Sequence, residues 1–597
     1  MIQRAKTSIQ HILPRMFDHR ADPLDLARGR LVLGGCLFAL ALALIAGRTV
    51  ELALFGPGAT LRTLTSIVGP AEAAVDDPVE LARSADQQEI DRTQLRRSDI
   101  HDRNGELLAV SLPTMSLAAD PTQVRDKARV ARRLAEVVPG LNLARTETLL
   151  GQKHRRFVWL SRGLAPEAHQ AVLALGEPGL QFRREYRRFY PKGSLTSHVV
   201  GWSGNEHKGM AALETFLDTL GLDPAIPLVT SIDVGVQHVL RSELAATVRE
   251  FRADGASGMV MKVATGEIMA MVSLPDFDPY NLPADPRSPE LINKVTTGVY
   301  EVGSVLKLFT TAMALDSGAA KLGTIFEATE PVRFGRFTVR DFHPMRSDLS
   351  LAEGFVRSSN ILMTHVAEAV GPERQQDYLD RFGLLSRPSF ELPGVGHPIL
   401  PASWAQVYRA TVSFGYGLSV SQVQVASAVT ALVGDGIYRN PTLLRQPEGM
   451  PVTGRPVISP QTSAQMRELM HQVVHAPHGT AGKARVAGYD LGGKTGTAEK
   501  SAGKAGFREH DLLSSFAGAF PIHNPEYVIV VTIDEPRQLT PKSPRPTGGQ
   551  VAAPTVGRIV GRMAPLVGVS PATSGPLPAP RPEEPPLRRA SLTAGRG

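Results

Sequence analysis

The chain has 597 residues, is 42% hydrophobic, and carries 65 basic against 58 acidic residues, for a formal charge of +7. This length exceeds what one core ordinarily fills, so two folded domains and an anchor are expected, and the near balance of charge gives little reason to invoke a nucleic-acid partner. Cys36 is the only cysteine, which excludes an intramolecular disulfide framework and leaves stability to packing.

Residues 31–46 (LVLGGCLFALALALIA) form an unbroken apolar run that 47–55 can extend. A bilayer span needs about 20 residues, so Arg48 must snorkel to the headgroups. Arg4, Lys6, Arg15, Arg20, Arg28 and Arg30 precede the run and few basic residues follow it closely, which orients the N-terminus to the cytoplasm. The alternatives are a buried core helix or a cleaved signal, but the small-residue site Ala71-Glu72-Ala73 lies too far beyond the run for a signal peptide. An uncleaved single-span anchor is therefore expected.

The expected order is a basic cytoplasmic segment over 1–30, the anchor over 31–55, a polar stalk over 56–97, a pedestal domain over 98–228 and a second domain over 229–568. A disordered proline-rich tail over 569–597 follows. In the pedestal, Asn104-Gly105 between apolar arms predicts a hairpin, and helices are expected over 127–138 and 165–175. In the second domain, Asp233 opens a helical pattern through Glu250, and Met259–Val263 and Ile268–Val272 flank a glycine turn as a hairpin. The β-branched run Tyr527–Ile533 suits a central strand. Hairpins and helices without a regular βαβ repeat indicate an α+β fold.

Three strings in this domain carry chemistry: Ser304-Val305-Leu306-Lys307, Ser358-Ser359-Asn360 and Lys494-Thr495-Gly496-Thr497. Gly303-Ser304 reads as a turn into an apolar helix, and residues three apart share a helix face with Cβ atoms about 5 to 6 Å apart, so the Lys307 amine can reach the Ser304 hydroxyl. A free lysine titrates near pH 10.4, and lowering that by ~3 units costs about 4 kcal/mol, so Lys307 can act as a base only in a buried, organised site. Ser-x-x-Lys alone is an ordinary helix pair; its apolar flanks argue against exposure.

Ser358-Ser359-Asn360 can connect two packed helices, with Ser358 relaying a proton and Asn360 holding a substrate amide. Ser359 has no evident role, and a plain helix N-cap is the competing reading. A second copy, Ser203-Gly204-Asn205, lies upstream in a glycine-rich turn and is set aside. As an edge strand, Lys494 would supply positive charge, Thr495 and Thr497 would bind a carboxylate, and Gly496 would let substrate backbone approach. The backbone N–H groups of Ser304 and Thr497 could form an oxyanion hole.

Two rival motifs need an answer. Gly488–Thr495 satisfies the phosphate-loop pattern, but a poor strand precedes it and a poor helix follows it. His471, His475 and His478 repeat at helical spacing, yet the interval lacks a zincin glutamate and Pro477 should end the helix that Ser459-Pro460 begins, so a solvated helix end is expected and no metal site.

The three strings in this order resemble those of penicillin-binding proteins and class A β-lactamases, and the chain as a whole resembles the class B penicillin-binding proteins of the division-specific FtsI type. Asp99–Gly105 and Arg187–Pro191 look like pedestal signatures of that family, and Ser413–Leu418 (SFGYGL) like its division-type segment. Val302, Ser98 and Ala212 stand where the family has other residues, the last interrupting a glycine pattern before Glu214, and the link from Glu214 to Val229 is short.

The resemblance implies a β-lactamase-like transpeptidase domain with an antiparallel sheet flanked by helices. The implied activity is cross-linking of peptidoglycan stem peptides through a Ser304 acyl-enzyme, with no cofactor and with β-lactams acylating the same serine. It further implies an inner-membrane protein with its catalytic domain in the periplasm, and a glycan polymerase and other division proteins as partners. An elongation-type transpeptidase, a carboxypeptidase or β-lactamase, and a non-enzymatic penicillin sensor or scaffold are the alternatives.

Overall fold

The computed structural model describes residues 96–571, apart from Glu206 and residues 502–506. The expected cytoplasmic segment, anchor, most of the stalk and nearly all of the tail lie outside the described residues, among which no helix is long and apolar enough to cross a membrane.

The pedestal is built on one long strand. Leu107–Ala119 (β2) pairs antiparallel with Ile100–His101 (β1), and helices Lys127–Val137 (α1) and Leu143–Leu150 (α2) follow. Val158–Leu164 (β3), helix Pro166–Leu173 (α3) and Leu180–Phe189 (β4) complete the layer, with β3 and β4 both antiparallel to β2. Leu117, Val130, Leu134, Leu150, Val158 and Val172 form its own small core. Helix α2 escapes the sequence reading because it buries only Thr146 and Leu150 and so presents no apolar stripe; Asn142 caps its first turn by accepting from Arg145 N at 2.9 Å.

The predicted Asn104-Gly105 turn is present, with Gly105 at φ +89, and the turn docks onto the second domain. The buried Asp102 carboxylate accepts from Asn104 N and Glu106 N at 2.8 Å and from Val234 N at 3.2 Å, while Arg103 N donates to Ile232 O at 2.8 Å. Helix Ala212–Leu220 (α4) places Glu214, which is 0% exposed, between Arg97 Nε at 2.9 Å and Arg188 Nε at 2.6 Å. Leu228–Val229 (β5) pairs parallel with β1, and the chain passes into helix Val234–Phe251 (α5).

The second domain is organised by a five-stranded antiparallel sheet. Its strands are Gly255–Lys262 (β6), Ile268–Leu274 (β7), Gly492–Ser501 (β8), Phe507–Phe520 (β9) and Tyr527–Asp534 (β10), in the order β8-β9-β10-β6-β7. Strand β10 takes the centre because its Val/Ile run is buried almost throughout, while β8 lies at an edge.

Helices Lys307–Asp316 (α6), Leu351–Arg357 (α7), Asn360–Val370 (α8) and Gln406–Phe414 (α9) pack together as a lobe beside β8. Two helix pairs cover the sheet. Gln422–Val433 (α10) packs with Pro460–His475 (α11), and Ala552–Met563 (α12) packs with α5. Every residue of α10 is buried, so its polar side chains turn to internal partners. Gln422 Nε2 donates to Val530 O and Gln424 Nε2 to Ser386 O, both at 2.8 Å. The architecture is a two-domain mixture of helix and sheet, as the α+β reading requires.

Two predictions concern the pedestal. Glu214→Ala leaves Arg97 and Arg188 buried without their shared carboxylate, and denaturant unfolding should show a loss of about 3–5 kcal/mol. Ala212 holds φ +49 at the start of α4, a left-handed position costly for a residue with a Cβ; Ala212→Gly should raise the thermal midpoint, by the equivalent of about 1 kcal/mol.

Candidate active site

Gly303–Leu306 form a 3-10 turn that runs directly into α6, and side chains three apart eclipse in such a turn. The turn is wedged between two other segments. Gly303 sits at φ +54, and a Cβ there would lie 2.5 Å from Thr497 O of β8; a Cβ on Gly415, just past α9, would lie 1.8 Å from Gly303 O. Only bare backbone fits at these contacts. The Ser413–Leu418 segment thus seats the serine turn from one side, and Gly303 N donates to Gly415 O at 3.2 Å.

Gly496 has a different place from the one expected. A Cβ on it would lie 2.4 Å from Val302 O, so its bareness serves the approach of β8 to the serine turn and not the approach of a substrate.

Ser358 and Ser359 form the link between α7 and α8, as expected, with Ser358 at φ +65. Ser359 acquires a definite role. Its hydroxyl oxygen accepts from Leu362 N at 3.0 Å, and its hydrogen goes to Asp341 at 2.7 Å. Asp341 also accepts from Asn360 N and from Ile361 N, the latter at 3.1 Å, so a carboxylate sits on the first turn of α8 where the helix dipole favours it. Nothing in the sequence pattern marks Asp341, because its contact with this link is purely tertiary.

Two lysines meet at Ser358. Lys307 Nζ lies 2.6 Å from Ser358 O, 2.7 Å from Asn360 Oδ1 and 3.1 Å from Ser358 Oγ, while Lys494 Nζ donates to Ser358 Oγ at 2.9 Å and Thr495 O at 3.3 Å. Among the described residues Lys307 hydrogen-bonds to Ser358 and Asn360, not to Ser304. Both amines are 0% exposed. Burial pushes Lys307 well below the ordinary lysine range, the Lys494 charge pushes it the same way, and Asp341 opposes them. Burial lowers Lys494 to about 7.

A neutral amine has two hydrogens and one lone pair. Ser358 O and Asn360 Oδ1 can only accept, so they take the two hydrogens of a neutral Lys307 and leave its lone pair free to accept a proton. Ser358 Oγ thus lies between the two amines, within hydrogen-bond distance of both.

These groups stand behind one wall of a cleft of about 350 Å³, lined among others by Ser304, Ser358, Asn360, Thr495 and Thr497. Thr480 also lines it, its hydroxyl 2.8 Å from that of Thr495, and Gly548 N donates to Thr497 Oγ1 at 3.0 Å. Arg545 and Glu499 form a 3.0 Å ion pair at the cleft. Thr480 and the Thr547-Gly548 turn were missed by sequence reasoning; isolated threonines and glycines carry no signal until the fold brings them to β8.

The phosphate-loop rival does not survive. Lys494 lies within β8 and pairs in register with Ala517 of β9, whereas a phosphate loop needs a turn opening a helix at that lysine. The histidines also differ from expectation. Helix α11 ends at His475, before Pro477, and His478 is exposed, but His475 Nε2 is buried and has no hydrogen-bond partner.

Comparison with known proteins identifies the family. Residues 256–561 match the penicillin binding protein transpeptidase domain, and residues 92–218 match the penicillin-binding protein dimerisation domain. The chain is 38% identical over 487 residues to a probable peptidoglycan D,D-transpeptidase FtsI of Caulobacter vibrioides, an alignment covering 79% of this chain and 82% of the relative. It is 28% identical over 549 residues to peptidoglycan D,D-transpeptidase FtsI of Escherichia coli K12, covering 86% and 91% of the two chains. The apo structure of the TP domain from Burkholderia pseudomallei penicillin-binding protein 3 superposes with a TM-score of 0.52 at 33% identity, covering 58% of this chain and 98% of that one. The chain belongs to the penicillin-binding proteins, as a class B member of the FtsI type.

Proposed function

We propose that the protein is a peptidoglycan D,D-transpeptidase that cross-links stem peptides during division. The observation that carries this reading is the fully buried Lys307 amine, its proton disfavoured by burial and by Lys494, set against Ser358 beside a cleft that Ser304 lines. In this reading Ser304 Oγ attacks the carbonyl carbon of the penultimate D-alanine, and its proton passes to Lys307. The bond to the terminal D-alanine nitrogen then breaks, and Ser358 carries the proton from Lys307 to that leaving nitrogen. An ester on Ser304 and free D-alanine result. An amine of a neighbouring stem peptide attacks the ester carbonyl to form the cross-linking amide, the C–Oγ bond breaks, and the amine's proton passes by way of Lys307 to Ser304 Oγ.

The remaining residues bind and stabilise. Backbone N–H groups of Ser304 and Thr497 face the developing oxyanion. Asn360 Nδ2 donates one hydrogen to Arg340 O at 3.1 Å, which leaves the other for a substrate carbonyl. Thr497 Oγ1 accepts from Gly548 N, so its own hydrogen is available to the terminal carboxylate, with Thr495 beside it and the Lys494 charge beneath. Gly496 contributes by letting β8 close on the serine turn. β-Lactams acylate the same Ser304.

The apolar run over 31–55 and the basic residues before it support a single-span protein of the inner membrane with its site in the periplasm. Cross-linking requires newly made glycan strands, so a glycan polymerase and other division proteins are the partners this reading calls for. The relatives named FtsI support division over elongation.

Incubation with a stem peptide and a D-amino acid acceptor tests the reading: D-alanine release should be matched by acceptor incorporation, and release without incorporation would indicate a hydrolase. Ser304→Ala should abolish both, together with covalent labelling by fluorescent penicillin, and Lys307→Met should slow labelling by about 10²–10⁴-fold.

The pH profile of labelling tests the lysine pair. Loss of rate at low pH reports protonation of Lys307, which Lys494 resists once it gains its own charge below about pH 7. Lys494→Met removes that repulsion, raises the Lys307 pKa and should move the acid limb of the residual rate to higher pH. An unmoved or lowered limb would show that the two amines do not communicate.

A further inference from the structure

We infer that the C-terminal end of α11 carries a binding site for a divalent transition ion of the zinc type, built from His471, His475 and Asp490. One ligand atom from each of the three lies within 4.8 Å of the others. His471 and His475 are one helical turn apart on α11, the spacing that puts two imidazoles on one face, and their rings stack with centroids 4.2 Å apart. Asp490 arrives from the chain entering β8. Its carbonyl accepts from Ile522 N at 2.8 Å, which draws in the turn after β9 and sets the His523 ring 5.0 Å from that of His471.

The ligand set suits the ion. Zinc binds imidazole nitrogen and carboxylate oxygen at about 2.0–2.2 Å, so ligand atoms of a tetrahedral site stand roughly 3.4 Å apart, a spacing that side-chain rotation can bring these residues to. Imidazoles with a carboxylate favour zinc over the harder magnesium and calcium ions.

His475 points to a ligand independently of this clustering. Its Nε2 is shielded from solvent and has no hydrogen-bond partner, while the ring interacts with the Leu491 backbone. A buried imidazole nitrogen that the protein leaves without a partner is available to a metal ion. A solvated helix end would leave that nitrogen wet.

None of the three residues lines the catalytic cleft, and the proposed ion is not a participant in the reaction. It would tie the end of α11 to the start of β8. The loop that leaves α11 carries Thr480, bonded to Thr495 of the same strand at 2.8 Å, so the ion would brace both sides of the strand that forms the cleft edge.

The test uses untagged full-length protein, stripped with chelator, re-equilibrated with Zn²⁺ and assayed for bound metal and thermal midpoint. Wild type and His478→Gln should bind one equivalent and melt higher with Zn²⁺. His475→Gln and Asp490→Asn should bind at least about tenfold more weakly and lose the shift, while circular dichroism and penicillin labelling show them folded. Wild type that takes up no Zn²⁺, or equal binding by His475→Gln, would overturn the proposal.

Discussion

The site depends on holding two lysine amines out of water around one serine hydroxyl. Lys307 and Lys494 both contact Ser358 Oγ and neither is exposed. Two like charges repel strongly at that separation in a poorly solvated setting, so protonation of both amines is disfavoured. For Lys307, burial and Lys494 act against its proton and Asp341 acts for it. A surface Ser-x-x-Lys pair would keep its ammonium in water and have no base.

Such burial is possible because the backbone closes tightly around it. Gly303, Gly415 and Gly496 lie where a Cβ would collide with the backbone of a neighbouring segment. These contacts bring the serine turn, the α9 terminus and the edge strand together with little room for solvent. Gly415 of SFGYG and Gly496 of KTGT are thereby explained by packing around the serine turn. Asp341 fixes the third segment, holding Ser359, Asn360 and Ile361 by hydrogen bonds. The proton path through Ser358 is only as well defined as that link.

The pedestal applies the same physics to a structural end. Glu214 is fully buried between Arg97 and Arg188, and Asp102 spends its carboxylate on three backbone N–H groups where the pedestal hairpin meets α5. Buried charges of this kind contribute less net stability than their Coulomb attraction suggests, because desolvation offsets it, but they tolerate few alternative arrangements. They give the hairpin and α4 defined seats.

The sequence alone determined the chemistry and the order of the elements. Ser304 with Lys307, the Ser358–Asn360 link and the edge strand with Lys494 were legible because each is a local string, and the hairpins and the β-branched central strand were legible because pleat and helix impose short periods. Tertiary structure alone decided what lies between distant strings. It brought Asp341 and Thr480 to the site, turned Gly496 toward the serine turn, and gathered His471, His475 and Asp490 across a helix end. Lysine charge belongs to this second group, since the pKa of an amine is set by the solvent and charges around it in space, and no spacing along the chain encodes how much water the fold will leave there.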